Sequence, residues 1–207
     1  CSYLNVSYDT ELEFKRTIII DQLKRVARIN EDELPHIETI SDNRYGYRSH
    51  TRFNSANGIK GFYRKGTNEI IGFPEKGCLL LSKELNSSIK KLKTDNDKIE
   101  IKAVSDCEKN IHFSSDNSAG EIMESENGLK YHRDVNGFFQ ANRYLRGKMI
   151  QEVINLSGAN LKSTFLDICS GCGYFTLPLA RLSKSGYGFD IDSGSITYAK
   201  KNAMINN

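Results

Sequence analysis

Leu166-Asp-Ile-Cys-Ser-Gly-Cys-Gly-Tyr-Phe-Thr-Leu-Pro-Leu-Ala180 is the stretch whose reading decides the fold. It opens at the end of a short apolar strand, 163–168. It turns through the small residues 170–173 and enters a helix expected over 175–182. Gly171 and Gly173 lack Cβ atoms, so the backbone can turn tightly there and a ligand can approach it closely. The helix that follows presents unpaired N–H groups at its start. A second short strand, expected over 187–191, carries Asp190, 23 residues after Asp167. A carboxylate at that place can accept hydrogen bonds from the two hydroxyls of a ribose. A second helix is expected over 195–205. Strand, glycine loop, helix, strand, helix is the opening of a doubly wound α/β sheet that takes a nucleotide. Two strands do not complete such a sheet, so the domain is expected to continue past Asn207.

Upstream, the helical signal begins at Asn142, where Leu145, Met149, Val153 and Leu156 form one stripe and Gly158 supplies a stop. Residues 45–73 change character. Short alternating stretches of Tyr, Phe and Ile are punctuated by Gly58, Gly66 and Gly72, which predicts strands with a hairpin near 65–68. A helix is possible over 79–92. Residues 93–130 are polar, with alternation at Ile99-Glu100-Ile101 and Ile111-His112-Phe113 that suggests further strands. Residues 11–29 read as a helix, with Ile19, Leu23 and Val26 on one face. The expected architecture is mixed α/β and α+β. A first segment spans 1–39, a β-rich central domain 40–130, and the start of a Rossmann-like domain 131–207.

A net charge of +3 is too weak to identify a partner, but its clustering is informative. Arg44, Arg48, His50 and Arg52 lie among Tyr45, Tyr47 and Phe53, and Lys60, Arg64 and Lys65 follow around Phe62 and Tyr63. Basic residues interleaved with aromatics can pair with phosphates and stack on bases; they also describe a solvated strand face with aromatics packed beneath. The chain has five cysteines, an odd number at irregular spacing, and no secretion signal, which argues against a disulfide framework. Cys169-Ser-Gly-Cys172 fits C-x-x-C, open to a redox or metal role, or to small side chains filling a tight loop. No apolar run approaches the roughly 18 residues a membrane helix needs. Nothing directs the chain out of the cytosol, so a cytoplasmic protein without a membrane partner is expected. The start on Cys1 and the close inside a helix lead us to expect a fragment.

A dinucleotide fingerprint requires a third glycine where Thr176 stands. An Asp directly before the loop, followed by G-x-G, resembles instead the methyltransferase version, whose ligand is the sulfonium S-adenosylmethionine. Gly137-Phe-Phe-Gln-Ala-Asn142 then resembles the F-x-Q-x-N element of the TrmA/RumA-type RNA (uracil-C5)-methyltransferases. Cys1-Ser-Tyr-Leu-Asn-Val-Ser-Tyr8 with Leu12-Glu-Phe-Lys-Arg16, Tyr45-Gly-Tyr-Arg48, Gly61-Phe-Tyr63, and the A-x-x-N-A-x-x-N pattern of Ala199, Asn202, Ala203 and Asn206 are similar to other parts of that family. The resemblance runs nearly end to end.

The resemblance implies an enzyme that moves a methyl group from S-adenosylmethionine to C5 of a uridine in RNA. It implies 23S rRNA before tRNA, and no DNA. Gln140, Asp167, Cys169, Gly171, Gly173, Tyr174 and Asp190 fall at cofactor positions, with Tyr174 in place of a usual small polar Asn and Asp190 in place of a more common Glu. Phe138, with Arg48 and Arg52, falls to the RNA. In the family a cysteine thiolate adds to C6, the resulting carbanion at C5 takes the methyl group, and a base then removes the C5 proton. The matching Cys and Glu are expected beyond Asn207, so no catalytic residue is assigned here. The family's iron–sulfur members hold a 4Fe-4S cluster on four thiolates; Cys1 and Cys78 resemble two of these, and the others would precede residue 1. Two other readings stand beside this one: a non-catalytic RNA-binding derivative of the family, and a Rossmann oxidoreductase using Cys169 and Cys172.

Overall fold

The computed structural model describes residues 3–94, 97–115 and 120–207, in two compact units, Cys1–Arg44 and Tyr45–Asn207. In the first unit α1 spans Tyr8–Arg25. The Ser7 hydroxyl accepts the Thr10 N–H at 3.2 Å, so the helix starts at that cap, earlier than residue 11. Asp9 and Glu11 in the first turn and Lys24 and Arg25 in the last complement the helix dipole. Arg44 secures the same end, with Nε 3.0 Å from Glu11 and Nη2 donating to the carbonyls of Tyr3 (2.8 Å) and Val6 (2.9 Å). It is a structural residue and not part of a basic surface. α1 buries none of its residues, so the stripe of Ile19, Leu23 and Val26 is not a core face within the described structure.

The second unit opens with a five-stranded antiparallel sheet in the order β3-β2-β1-β4-β5. Its strands are β1 (His50–Ala56), β2 (Ile59–Tyr63), β3 (Ile70–Gly72), β4 (Ile99–Ser105) and β5 (Ile111–Phe113). Asn57 and Gly58, at φ 50° and 77°, form the two-residue turn between β1 and β2. Gly61 admits no other residue, because a Cβ would lie 1.8 Å from the Ile71 carbonyl oxygen. Helix α2 (Lys83–Lys91) is capped by Ser82 and lays Leu85 and Ile89 on Phe53, Ile101 and Ala103. It is shorter than the 79–92 expected, since residues 79–82 precede the cap. Lys60 donates to the carbonyls of Ile89 (2.7 Å) and Leu92 (2.6 Å) at the end of α2, and Arg64 pairs with Glu69. Both drop out of the basic group as free cations.

β6 (Glu121–Glu126) and β7 (Leu129–Asp134) form a hairpin around Asn127 and Gly128, at φ 48° and 75°. Position 130, where the central domain was expected to end, lies inside β7. Then follow α3 (Arg146–Ser157), β8 (Thr164–Ile168), α4 (Thr176–Ala180), β9 (Ser185–Phe189) and α5 (Ser193–Ile205). β8 and β9 are parallel, Thr164 opposite Ser185 through Ile168 opposite Phe189. β9 lies two residues before the expected 187–191. Gly186 belongs to the strand because a Cβ there would strike the Phe165 ring at 2.1 Å. α4 is shorter than 175–182, its end tightened by the Leu182 N–H bonding to the Leu179 carbonyl. Leu166, Ile168, Tyr187 and Phe189 share the face of this pair that is exposed to solvent.

α5 joins β7 by side chains. Asn202, fully buried, donates to the His132 carbonyl and accepts the His132 N–H, at 2.9 and 2.6 Å. Asn206 does the same with Lys130, at 2.7 and 2.9 Å. Four residues along a helix advance about 6 Å and two along a strand about 6.7 Å, so N-x-x-x-N matches every second residue of a strand edge. No described helix is long and apolar enough to cross a membrane.

Candidate functional site

The loop from β8 to α4 is closed by the residues that frame it. The Gly171 N–H donates to Asp190 Oδ2 at 2.7 Å, and Asp190 Oδ1 accepts the Asp192 N–H at 2.9 Å. Each Asp190 oxygen keeps capacity for a further donor. Thr176 Oγ1 donates to Asp167 Oδ2 at 2.6 Å, so the residue in the third-glycine position ties the start of α4 to the end of β8. The Ser170 hydroxyl is buried beside Gly188 of β9 without a partner among the described residues. Cys169, at φ 66°, is a non-glycine residue in the left-handed region, which costs about 1 kcal/mol or more and concentrates at binding loops. Gly171 and Gly173, at φ 55° and 91°, take the same region without that cost. The loop thus has the shape and the unused polar capacity that a nucleoside ligand requires.

Cys169 is exposed and Cys172 buried. Burial pushes the Cys172 thiol up to about 11, so at neutral pH it is a protonated, small packing residue. Its carbonyl accepts Asn202 Nδ2 at 2.9 Å, which fixes the loop to α5. Tyr174, expected to line the pocket, turns into the core instead. Its ring packs on Phe139 (5.2 Å between centroids) and Tyr131, and its hydroxyl donates to the Arg146 carbonyl at 2.8 Å. A phenol of that size fits the core, which also contains Leu129, Ile150 and Leu177.

The Phe139–Tyr174 contact brings the segment 137–142 against the glycine loop. On its other side the segment runs beside 47–49: Ser49 N–H donates to the Ala141 carbonyl at 2.9 Å, and Arg143 N–H to the Tyr47 carbonyl at 3.0 Å. Phe138 is 75% exposed at the mouth of a cavity of about 420 Å³, whose lining includes Cys172, Asp192, Ser195 and Tyr198. Gln140 is half-buried, with its carbonyl bonded to Arg146 Nε at 2.6 Å.

Arg48 is exposed near this segment, its guanidinium 6.0 Å from the Tyr47 ring. Arg52 is exposed and pairs loosely with Glu100 at 3.5 Å. Lys102 is the cross-strand partner of Arg52 and donates to the Gly137 carbonyl at 2.7 Å. Burial, with Arg133 and Arg52 nearby, lowers its ammonium to about 8. His50, two residues from Arg52, is pushed down to about 3 by burial and by Arg133, Lys102, Arg146 and Arg48. The part of β1 and β4 that lies beside Gly137 therefore gathers several cations. Sequence reasoning missed Lys102, Arg133, Arg146, Thr176 and Ser170.

Among the described residues no three His, Cys, Asp or Glu side chains come together to hold a metal. Cys1 lies outside the described residues. Cys78 is half-buried against the apolar cluster of Phe53, Leu85 and Ile101, its N–H bonded to Asn86 Oδ1 at 2.8 Å. Of the two cysteines that resemble cluster ligands, the described residues contain Cys78 alone.

Residues 79–207 match the family described as tRNA (uracil-5-)-methyltransferase. The chain belongs to that family. An uncharacterized RNA methyltransferase of Leptospira interrogans is 28% identical over 225 residues, covering 100% of this chain and 53% of the relative. A 23S rRNA (uracil(1939)-C(5))-methyltransferase of Francisella tularensis is 23% identical, covering 100% and 58%. The Pyrococcus abyssi tRNA (uracil-54, C5)-methyltransferase, solved in complex with S-adenosyl-L-homocysteine, superposes with a TM-score of 0.71 at 20% identity, over 98% of this chain and 61% of that one. That superposition shows a shared fold. The chain spans about half the length of the curated relatives it matches.

Proposed function

We propose that this chain is part of an S-adenosylmethionine-dependent enzyme that methylates C5 of a uridine in RNA. The observation that carries the reading is the loop closed by Asp190 and Asp167 and packed, through Tyr174 and Phe139, against the segment bearing Phe138 and Gln140. Bound S-adenosylmethionine supplies an electrophilic methyl group on a sulfonium. Asp190 would take the ribose hydroxyls, and Gly171 and Gly173 would let the ligand approach the backbone. Cys169 and Gln140 would line its amino-acid end. Phe138 offers a face on which a base can stack. Arg48, Arg52 and the field around His50 would draw in the phosphates. The pairing of 47–49 with 141–143 supports this reading, since phosphate contacts at Arg48 would then lie beside the segment that meets the cofactor loop.

Within this reading 23S rRNA is the proposed substrate, because a relative so named matches the whole chain. The full-length protein should transfer labelled methyl groups to 23S rRNA carrying tritium at C5 of uridine, and release that tritium. Methyl transfer without tritium release would overturn the assignment to C5. Transfer to tRNA alone would leave the chemistry and replace the substrate.

A further inference from the structure

We propose that Glu124 is a positioning residue: through Arg133 and Arg146 it holds the segment Gly137–Gln140 against the cofactor loop. The inference rests on the reading of that segment as the cofactor- and base-facing element.

Glu124 is fully buried on β6. Its Oε1 accepts Arg133 Nη2 at 2.7 Å and its Oε2 accepts Arg146 Nη1 at 2.8 Å. Both guanidinium groups are buried as well, and Glu126 comes within 3.5 Å of Arg146. Arg146 Nη2 donates to Ser49 Oγ and Arg133 Nε has no partner among the described residues, while the other donors go to the backbone of one short stretch. Arg133 Nη1 reaches the carbonyls of Asp134 (3.2 Å) and Gly137 (3.4 Å), and Arg146 Nε reaches that of Gln140 at 2.6 Å. Lys102 adds a bond to the Gly137 carbonyl at 2.7 Å. Both guanidinium carbons also lie over the Phe139 ring, at 5.2 and 4.7 Å from its centroid. The segment that presents Phe138 and Gln140 is therefore gripped at 134, 137, 139 and 140 by two cations that share one carboxylate. Arg146 also holds the glycine loop, because its carbonyl accepts the Tyr174 hydroxyl.

A buried carboxylate between two guanidinium groups is a weak source of stability compared with apolar residues of the same volume. What it supplies is direction: a planar fork fixes the carbonyls it binds in angle as well as distance. Removing the charge leaves two buried cations without their shared acceptor, and the segment they grip loses its registration against the loop.

The test uses the full-length protein carrying Glu124→Gln, with Arg146→Lys as a second variant that retains the charge but not the fork. Circular dichroism first establishes a temperature at which each variant is folded. There, calorimetric affinity for S-adenosylhomocysteine should fall by about tenfold, while RNA binding, weakened only through Phe138, keeps the salt slope set by its phosphate contacts. A purely structural role would lower the bound stoichiometry with the folded fraction and leave the affinity of the folded molecules unchanged, and that result overturns the proposal. Wild-type affinity for S-adenosylhomocysteine in both folded variants overturns it too. If Glu124→Gln does not fold, Arg146→Lys decides alone. If the wild-type protein itself does not bind S-adenosylhomocysteine, the cofactor reading fails instead.

Discussion

At the scale of single residues the cofactor loop depends on two carboxylates that each do local work. Asp190 braces Gly171 and Asp192 through one bond on each oxygen, and its remaining lone pairs are what a ribose would use. Asp190→Ala should therefore weaken S-adenosylmethionine binding by about tenfold or more, by calorimetry on the full-length protein. Unchanged affinity would remove Asp190 from the site. Arg48 and Arg52 are exposed, and the pairing of Arg52 with Glu100 at 3.5 Å is too loose and too wet to hold it. Replacing both with Gln should weaken RNA binding and reduce its salt slope by about two phosphate contacts. An unaltered slope would return them to an ordinary solvated strand face. The two carboxylates that frame the loop were legible in the sequence as Asp167 and Asp190. Tyr174 was misplaced because a position in a loop motif does not say which way a side chain turns, and here a buried aromatic cluster was available to receive it.

At the scale of elements, hairpins and helix junctions hold the molecule together. The β6–β7 hairpin had a readable signal, Asn127-Gly128, between two stretches of alternating burial; the polar composition of 93–130 obscured it. The same alternation puts Glu124 in phase with Ile122, and Arg133 in phase with Leu129 and Tyr131, so opposite charges at inward positions were a sign of a buried pair. The Asn202–Asn206 ladder closes the free edge of β7 with α5. Asn202→Ala removes bonds to His132 and Cys172 at a fully buried site and should cost about 2–4 kcal/mol in urea unfolding. Asn206→Ala, at a half-buried site, should cost less than half as much. Equal costs would mean that the ladder is not the junction.

At the scale of the whole molecule, His50 is governed first by its burial and then by the cations Arg133, Lys102, Arg146 and Arg48 around it. Its folded pKa of about 3 is depressed from 6.5, so the unfolded chain binds the extra proton between these values. The stability it contributes is complete above pH 6.5 and is lost as pH falls toward 3. On lowering the pH from 7 to 5 the protein should lose about 1–2 kcal/mol by this route, and His50→Gln should flatten that part of the pH–stability curve. A curve that the substitution leaves unchanged would mean that His50 is open to water.

The sequence by itself determined the local grammar. The glycine loop, its two flanking carboxylates, the parallel βαβα order and the antiparallel sheet follow from backbone freedom and apolar periodicity, which act over a few residues. Tertiary structure alone decided which distant residues share a site. Ser49 meets Ala141, Lys102 meets Gly137, and Arg146 meets Glu124, Gln140 and Tyr174 through pairings that no spacing along the chain encodes. The reason is physical. Periodicity reports whether a side chain faces inward, whereas the partner it meets there depends on how strands from three separate stretches close over one core.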